Sequence, residues 1–124
     1  MTKDLNVYVQ VMADSVERIR HYAAGMDFDD FCKDMRTQDA ILRNLEIIGQ
    51  AVKDYGRERL AQEEPSIPWK RVAGLRDVLA HAYLSVSLAL VWEAVATEMP
   101  KLDEAIARLT KNTTGGTGGS HAGR

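Results

Sequence analysis

The chain carries one cysteine, Cys32, among 124 residues, which excludes an internal disulfide and fits a reducing compartment. It has only three prolines, leaving long stretches free of the residue that breaks helices. Aromatic residues make up 6%, and no apolar run approaches the length needed to span a bilayer. The opening MTKDLNVYVQ has no apolar signal core, so a cytoplasmic location is expected. With a net charge of −2, the protein has no global field to attract polyanions. Any such binding needs a basic patch that is local or built between subunits. His21, Asp29, Asp30, Glu63 and Glu64 show no metal-ligand spacing. No glycine-framed serine, phosphate loop or dinucleotide fingerprint is present either. No metal and no cofactor is therefore expected, and Cys32 is expected in the core rather than as a nucleophile.

What remains is ordinary for one globular domain: 45% hydrophobic and 27% charged residues, with abundant helix formers and no internal repeat. Leu5, Val9, Met12, Val16, Ile19 and Ala23 form a stripe that predicts an amphipathic helix over about Lys3 to Ala24, ended by Gly25. Asp27 suits the N-cap of a short helix, Phe28 to Met35. The longest helix is predicted over Thr37 to Gln62, with Ile41, Leu42, Leu45, Ile48, Gly49 and Val52 on one face. Arg43, Glu46, Gln50 and Lys53 lie opposite. Ile47 falls near Asn44 and Ala51, off the main stripe, which points either to a second contact surface or to a singly exposed isoleucine of no consequence. After the EEPSIPW loop, a helix is predicted from Trp69 to Ala82 or Tyr83, a turn at LSVS, and a Ser87-capped helix from Leu88 to Met99. Val91, Trp92 and Val95 are its expected buried residues. Pro100 should break or restart that helix, which finishes through KLDEAIARLT. The tail, 111–124, holds five of the nine glycines and is expected to be flexible.

The helix LRDVLAHAYLSV carries the chemistry. At about 100° per residue, Val72, Leu75, Val78, Leu79 and Ala82 form an apolar arc. Arg76 and Tyr83 share one border of it, and Asp77 and His81 share the polar side. Ala73 and Ala80, with Gly74 close by, fill the space between these pairs, a surface small enough for another helix to approach. A second copy across a two-fold axis would bring the arginine and histidine of both chains to one cleft. Histidine can exchange a proton near neutrality, and arginine offers a charged fork for phosphate oxygens. Such a pair could cleave RNA without metal, with Asp77 holding the imidazole tautomer. An Arg and a His five apart also occur by chance in many helices, however, and a tyrosine at a helix end commonly just packs its ring. Asp77 can equally pair with Lys70 or Arg71, an exposed interaction of little energy. Lys70 and Arg71 with Arg57 and Arg59 can form a modest basic rim, or stand simply as solvated surface charge.

The segment LRDVLAHAY resembles the Arg-x-x-x-x-His-x-Tyr signature of the HepT-like ribonucleases, a branch of the HEPN superfamily. ILRNLEIIGQAVKDYG resembles the long-helix block that precedes it there, and PSIPWKRVAGLRD and VWEAVATEMPKLDEAI match the flow that follows. The resemblance covers about Asp4 to Leu109. It implies an all-α antiparallel bundle of about five to six helices, a HepT-like HEPN domain over 1–110. It also implies a homodimer, possibly a higher oligomer, acting as a metal-independent ribonuclease toxin of a type VII toxin–antitoxin system. Arg76 and His81 match the catalytic pair, with Asp77 in support. Tyr83 matches the tyrosine that a cognate minimal nucleotidyltransferase antitoxin modifies with AMP. Asp77 stands where many HEPN nucleases have Asn, and Gln50 where related sequences often have Glu. The alternative roles are a non-catalytic helical partner of a nucleotidyltransferase and a plain dimerisation module.

Overall fold

The computed structural model describes residues 4–80 and 87–115, with the side chains of 75–80 and 112–115 excepted. The described residues form α1 (Leu5–Ala23), α2 (Phe28–Cys32), α3 (Met35–Tyr55), α4 (Arg57–Glu63), α5 (Trp69–Ala80), α6 (Leu88–Glu93) and α7 (Met99–Gly115). A π turn over Ala94–Glu98 joins α6 to α7, so 88–115 is one continuous helix and the described residues form six helices. It is an all-α bundle of the HEPN type. None of the described helices is long and apolar enough to cross a membrane.

Short-range chemistry sets the helix starts. Asp4 accepts from the Asn6 amide at 3.0 Å. Asp27 and Asp30 form a reciprocal capping box at 2.8 and 3.1 Å. The Asp30 amide holds the Asp27 carboxyl below its usual pKa. Asp34 accepts from the Thr37 amide at 3.0 Å, which likewise lowers its pKa. That cap starts α3 at Met35, so Met35 belongs to α3 and not to α2. Ser87 caps α6 as expected, accepting from the Leu90 amide at 3.3 Å.

The long helix predicted over Thr37 to Gln62 is two helices. Gly56, at φ +116°, sits in a region that L side chains rarely adopt, and the chain turns there into α4. Pro100 does not break its helix. Its ring removes the N–H owed to the Ala96 carbonyl, and the backbone widens ahead of it, with the Met99 amide donating to Ala94. Thr97 adds a hydroxyl hydrogen bond to the Glu93 carbonyl at 2.6 Å. The last helix continues to Gly115, past Lys111, where the sequence suggests the tail begins.

The core is centred on α3, which packs against α1 on one side and α5 on another, while α1 also meets α7. Val9, Met12, Val16 and Ile19 of α1 are buried against Ile41, Leu45, Ile48 and Val52 of α3. Asn44, Ala51 and Tyr55 are buried too, and half-buried Ile47 borders a groove with Val7, Tyr8 and Val11 of α1. Ile47 is thus neither fully buried nor singly exposed, and no packed second surface forms around it among the described residues. Phe31 is fully buried and meets Trp92 of α6 with ring centroids 5.1 Å apart. Cys32, expected in the core, is exposed at the end of α2. The inward-facing position belongs to Phe31, and the five-residue helix has only one.

A clamped helix as the candidate functional site

α5 is held hard at its start. Trp69 is 2% exposed, and its indole N–H donates to the Glu64 carbonyl at 2.8 Å. The Pro68 carbonyl accepts the Arg71 and Val72 amides, both at 3.0 Å, and so closes the first helical turn. The Glu64 carboxylate is buried and accepts from Arg108 Nε and Nη2 of α7 at 2.9 and 2.8 Å. A carboxylate taken out of water needs such a charged donor, and the hydrogen bond raises the Arg108 pKa in turn. One turn beyond Trp69, Ala73 is fully buried on a helix packed against α3. Functional groups carried by such an element inherit its rigidity.

The burial of Ala73 corrects the helical wheel, which left Ala73 free on the small-residue surface. The Trp69–Ala73 edge is occupied by the protein's own core, whereas Lys70 and Arg71 are exposed and Gly74 is half-exposed. Past Gly74 the backbone stays helical through Arg76 and Asp77 to Ala80. The side chains of Leu75, Arg76, Asp77, Val78, Leu79 and Ala80 lie outside the described set, as do His81, Ala82, Tyr83 and the LSVS turn entirely. Arg76 and Asp77 therefore share the clamped helix, and their distances to His81 and Tyr83 are not part of the described structure.

The basic rim divides. Arg57 and Lys70 line one shallow cleft with Glu58, Ala61, Pro68 and Trp69. Arg59 turns instead to Glu63 at 3.1 Å. Glu63 also accepts the Tyr55 hydroxyl, and burial first, then that hydrogen bond, pushes the Tyr55 pKa up to about 12. Among the described residues no three His, Cys, Asp or Glu side chains group to hold a metal. The sequence gives no local sign of the Glu64–Arg108 tie, whose partners are 44 positions apart. Trp69, directly after a proline at a helix start, was the one available pointer to the clamp.

Residues 12–109, from α1 through the clamp, α5 and the first turns of α7, match the family model described as Ribonuclease HepT-like. The chain belongs to the HepT-like family. This HepT-like chain is 36% identical over 104 residues to the "Probable ribonuclease HepT" of Thermococcus cleftensis, covering 84% of this chain and 94% of that protein. It is 38% identical over 109 residues to the "Gamma-glutamylcyclotransferase and putative RNase" of Methanocaldococcus jannaschii. That match covers 88% of this chain and 49% of the relative, so the HepT-like chain spans about half of that protein's length. No solved structure matches it.

Proposed function

We propose that this HepT-like protein is a metal-independent endoribonuclease, the toxin of a type VII toxin–antitoxin pair, working as a homodimer. The observation that carries the reading is the family match across 12–109, which includes α5 and the Arg76, His81 and Tyr83 signature. His81 takes the proton of a ribose 2′-hydroxyl, whose oxygen then attacks the adjacent phosphorus. Arg76 stabilises the negative charge that gathers on the non-bridging oxygens. The bond from phosphorus to the 5′-oxygen breaks, and the histidine of the second copy protonates that leaving oxygen. Asp77 fixes the His81 tautomer. Side chains thus supply both proton transfers and the charge neutralisation.

The products test this reaction directly. Attack by the 2′-oxygen leaves a 2′,3′-cyclic phosphate on one fragment and a 5′-hydroxyl on the other, visible by mass spectrometry of a cleaved oligonucleotide. A 5′-phosphate and a free 3′-hydroxyl would require water as the nucleophile and would contradict the mechanism.

Arg57 and Lys70 share a cleft at the start of the same helix, where they are suited to RNA phosphates next to the cleavage site. Replacing both with Ala should weaken RNA binding without regard to sequence. It should also flatten the salt dependence of binding by about 0.7 to 1 per charge removed. An unchanged salt slope would remove these residues from the RNA path.

A further inference from the structure

A cleft of about 190 Å³ separates the start of α5 from α6 and the π turn. Pockets for drug-sized ligands run to roughly 300–1,000 Å³, so this one admits only a small guest. Its floor is apolar, with Val72, Met99 and Leu102 among the lining residues. At its mouth stands Leu90, 66% exposed, a large apolar side chain left in water beside an apolar hollow. The two walls carry opposite charge: exposed Arg71 on α5, exposed Glu93 and half-buried Glu98 on α6 and the π turn. Among the described residues none of these three side chains has an ion-pair partner.

From this pattern we infer that the α5–α6 cleft is a binding site for a free amino acid with an aliphatic side chain. Such a ligand carries a carboxylate, an ammonium group and an apolar branch on one carbon, and the cleft offers a counterpart to each. The Arg71 guanidinium suits the carboxylate, Glu98 and Glu93 across the cleft suit the ammonium group, and the floor takes the side chain out of water. Leu90 at the mouth extends that apolar surface. A polyanion is repelled by the two glutamates and a polyamine by Arg71, while an uncharged apolar molecule leaves both walls unpaired. A residue inside a peptide brings neither charge on its backbone, so a free amino acid satisfies the walls where a chain segment does not. The site needs neither Arg76 nor His81, and it is read by binding rather than by RNA cleavage.

Titration of the full chain with four small probes, followed by backbone amide NMR shifts, tests it. The probes are L-leucine, glycine, isocaproate and isoamylamine, which are the complete ligand and the same ligand without its side chain, its ammonium group or its carboxylate. Leucine should bind saturably, with shifts concentrated at 67–72 and 90–102. Each of the other three should bind about fivefold more weakly or worse, having lost one contact. In Arg71→Gln, leucine should lose its advantage over isoamylamine and keep its advantage over isocaproate. In Glu93→Gln combined with Glu98→Gln, the pattern should reverse. That crossing assigns each charge to its wall, and general surface damage would not produce it. Absence of saturable leucine binding, equal binding of leucine and either singly charged analogue, or an uncrossed pattern in the variants overturns the assignment. So do shifts at these positions that appear on concentrating the protein but not on adding leucine, since the cleft would then belong to a neighbouring chain.

Discussion

Replacing Arg76 with Ala is expected to lower RNA cleavage by at least about a hundredfold, some 2.7 kcal/mol of transition-state stabilisation, with little effect on the fold. The groups that fix α5 are Trp69, the Pro68 carbonyl, the Glu64–Arg108 tie and buried Ala73, all separate from position 76. Arginine and alanine are both good helix formers, so the backbone loses nothing by the exchange. Initial rates on a labelled RNA, together with a thermal melt, separate the two effects. Cleavage near the wild-type rate would remove Arg76 from the chemistry. A melt lowered by many degrees would make it a structural residue.

The second large effect concerns Tyr83. If a cognate nucleotidyltransferase modifies Tyr83, as the family resemblance implies, the Tyr83 oxygen would attack the α-phosphorus of ATP, forming a new phosphorus–oxygen bond and releasing pyrophosphate. Such an adduct would add bulk and negative charge and, on this reading, compete with RNA phosphate for Arg76. Tyr83→Phe should therefore retain most of its cleavage, because the hydroxyl is neither base nor acid, and should remain toxic when the partner and ATP are present. Co-expression of the wild type should place AMP on Tyr83. The other tyrosines are informative controls. Tyr55 is buried, hydrogen-bonded to Glu63 and raised to about 12, a poor acceptor, whereas Tyr22 is exposed. An adduct confined to Tyr22 or Tyr8, or a Tyr83→Phe protein that is still neutralised, would end this account of regulation.

Much of the fold could be read from the sequence where one helix buries one face. Val9, Met12, Val16 and Ile19 recur at helical spacing and are all buried, and Asp27 and Ser87 cap the helices they precede. Legibility fell where a helix has more than one neighbour. α3 packs on both α1 and α5, so Asn44 and Ala51 are buried beside the obvious stripe. On α5, the wheel drawn from Val72 omitted Trp69, and with it the edge that buries Ala73. A single glycine split the long helix at Gly56, because periodicity continues through a bend that only backbone dihedrals record. The Glu64–Arg108 pair has no local signature, since nothing near Glu64 distinguishes it from Glu63. The candidate site was legible as a motif, Arg76 to Tyr83, but its supporting clamp became visible only when distant segments met.

The central claim is that the Arg76–His81 pair cleaves RNA using side chains alone. It is tested most directly by incubating the purified protein and its His81→Ala variant with RNA in excess EDTA. The account predicts cleavage by the wild type at an undiminished rate, and a loss of at least about a hundredfold in the variant. Cleavage that appears only when Mg²⁺ is restored, or that survives in His81→Ala, would contradict it.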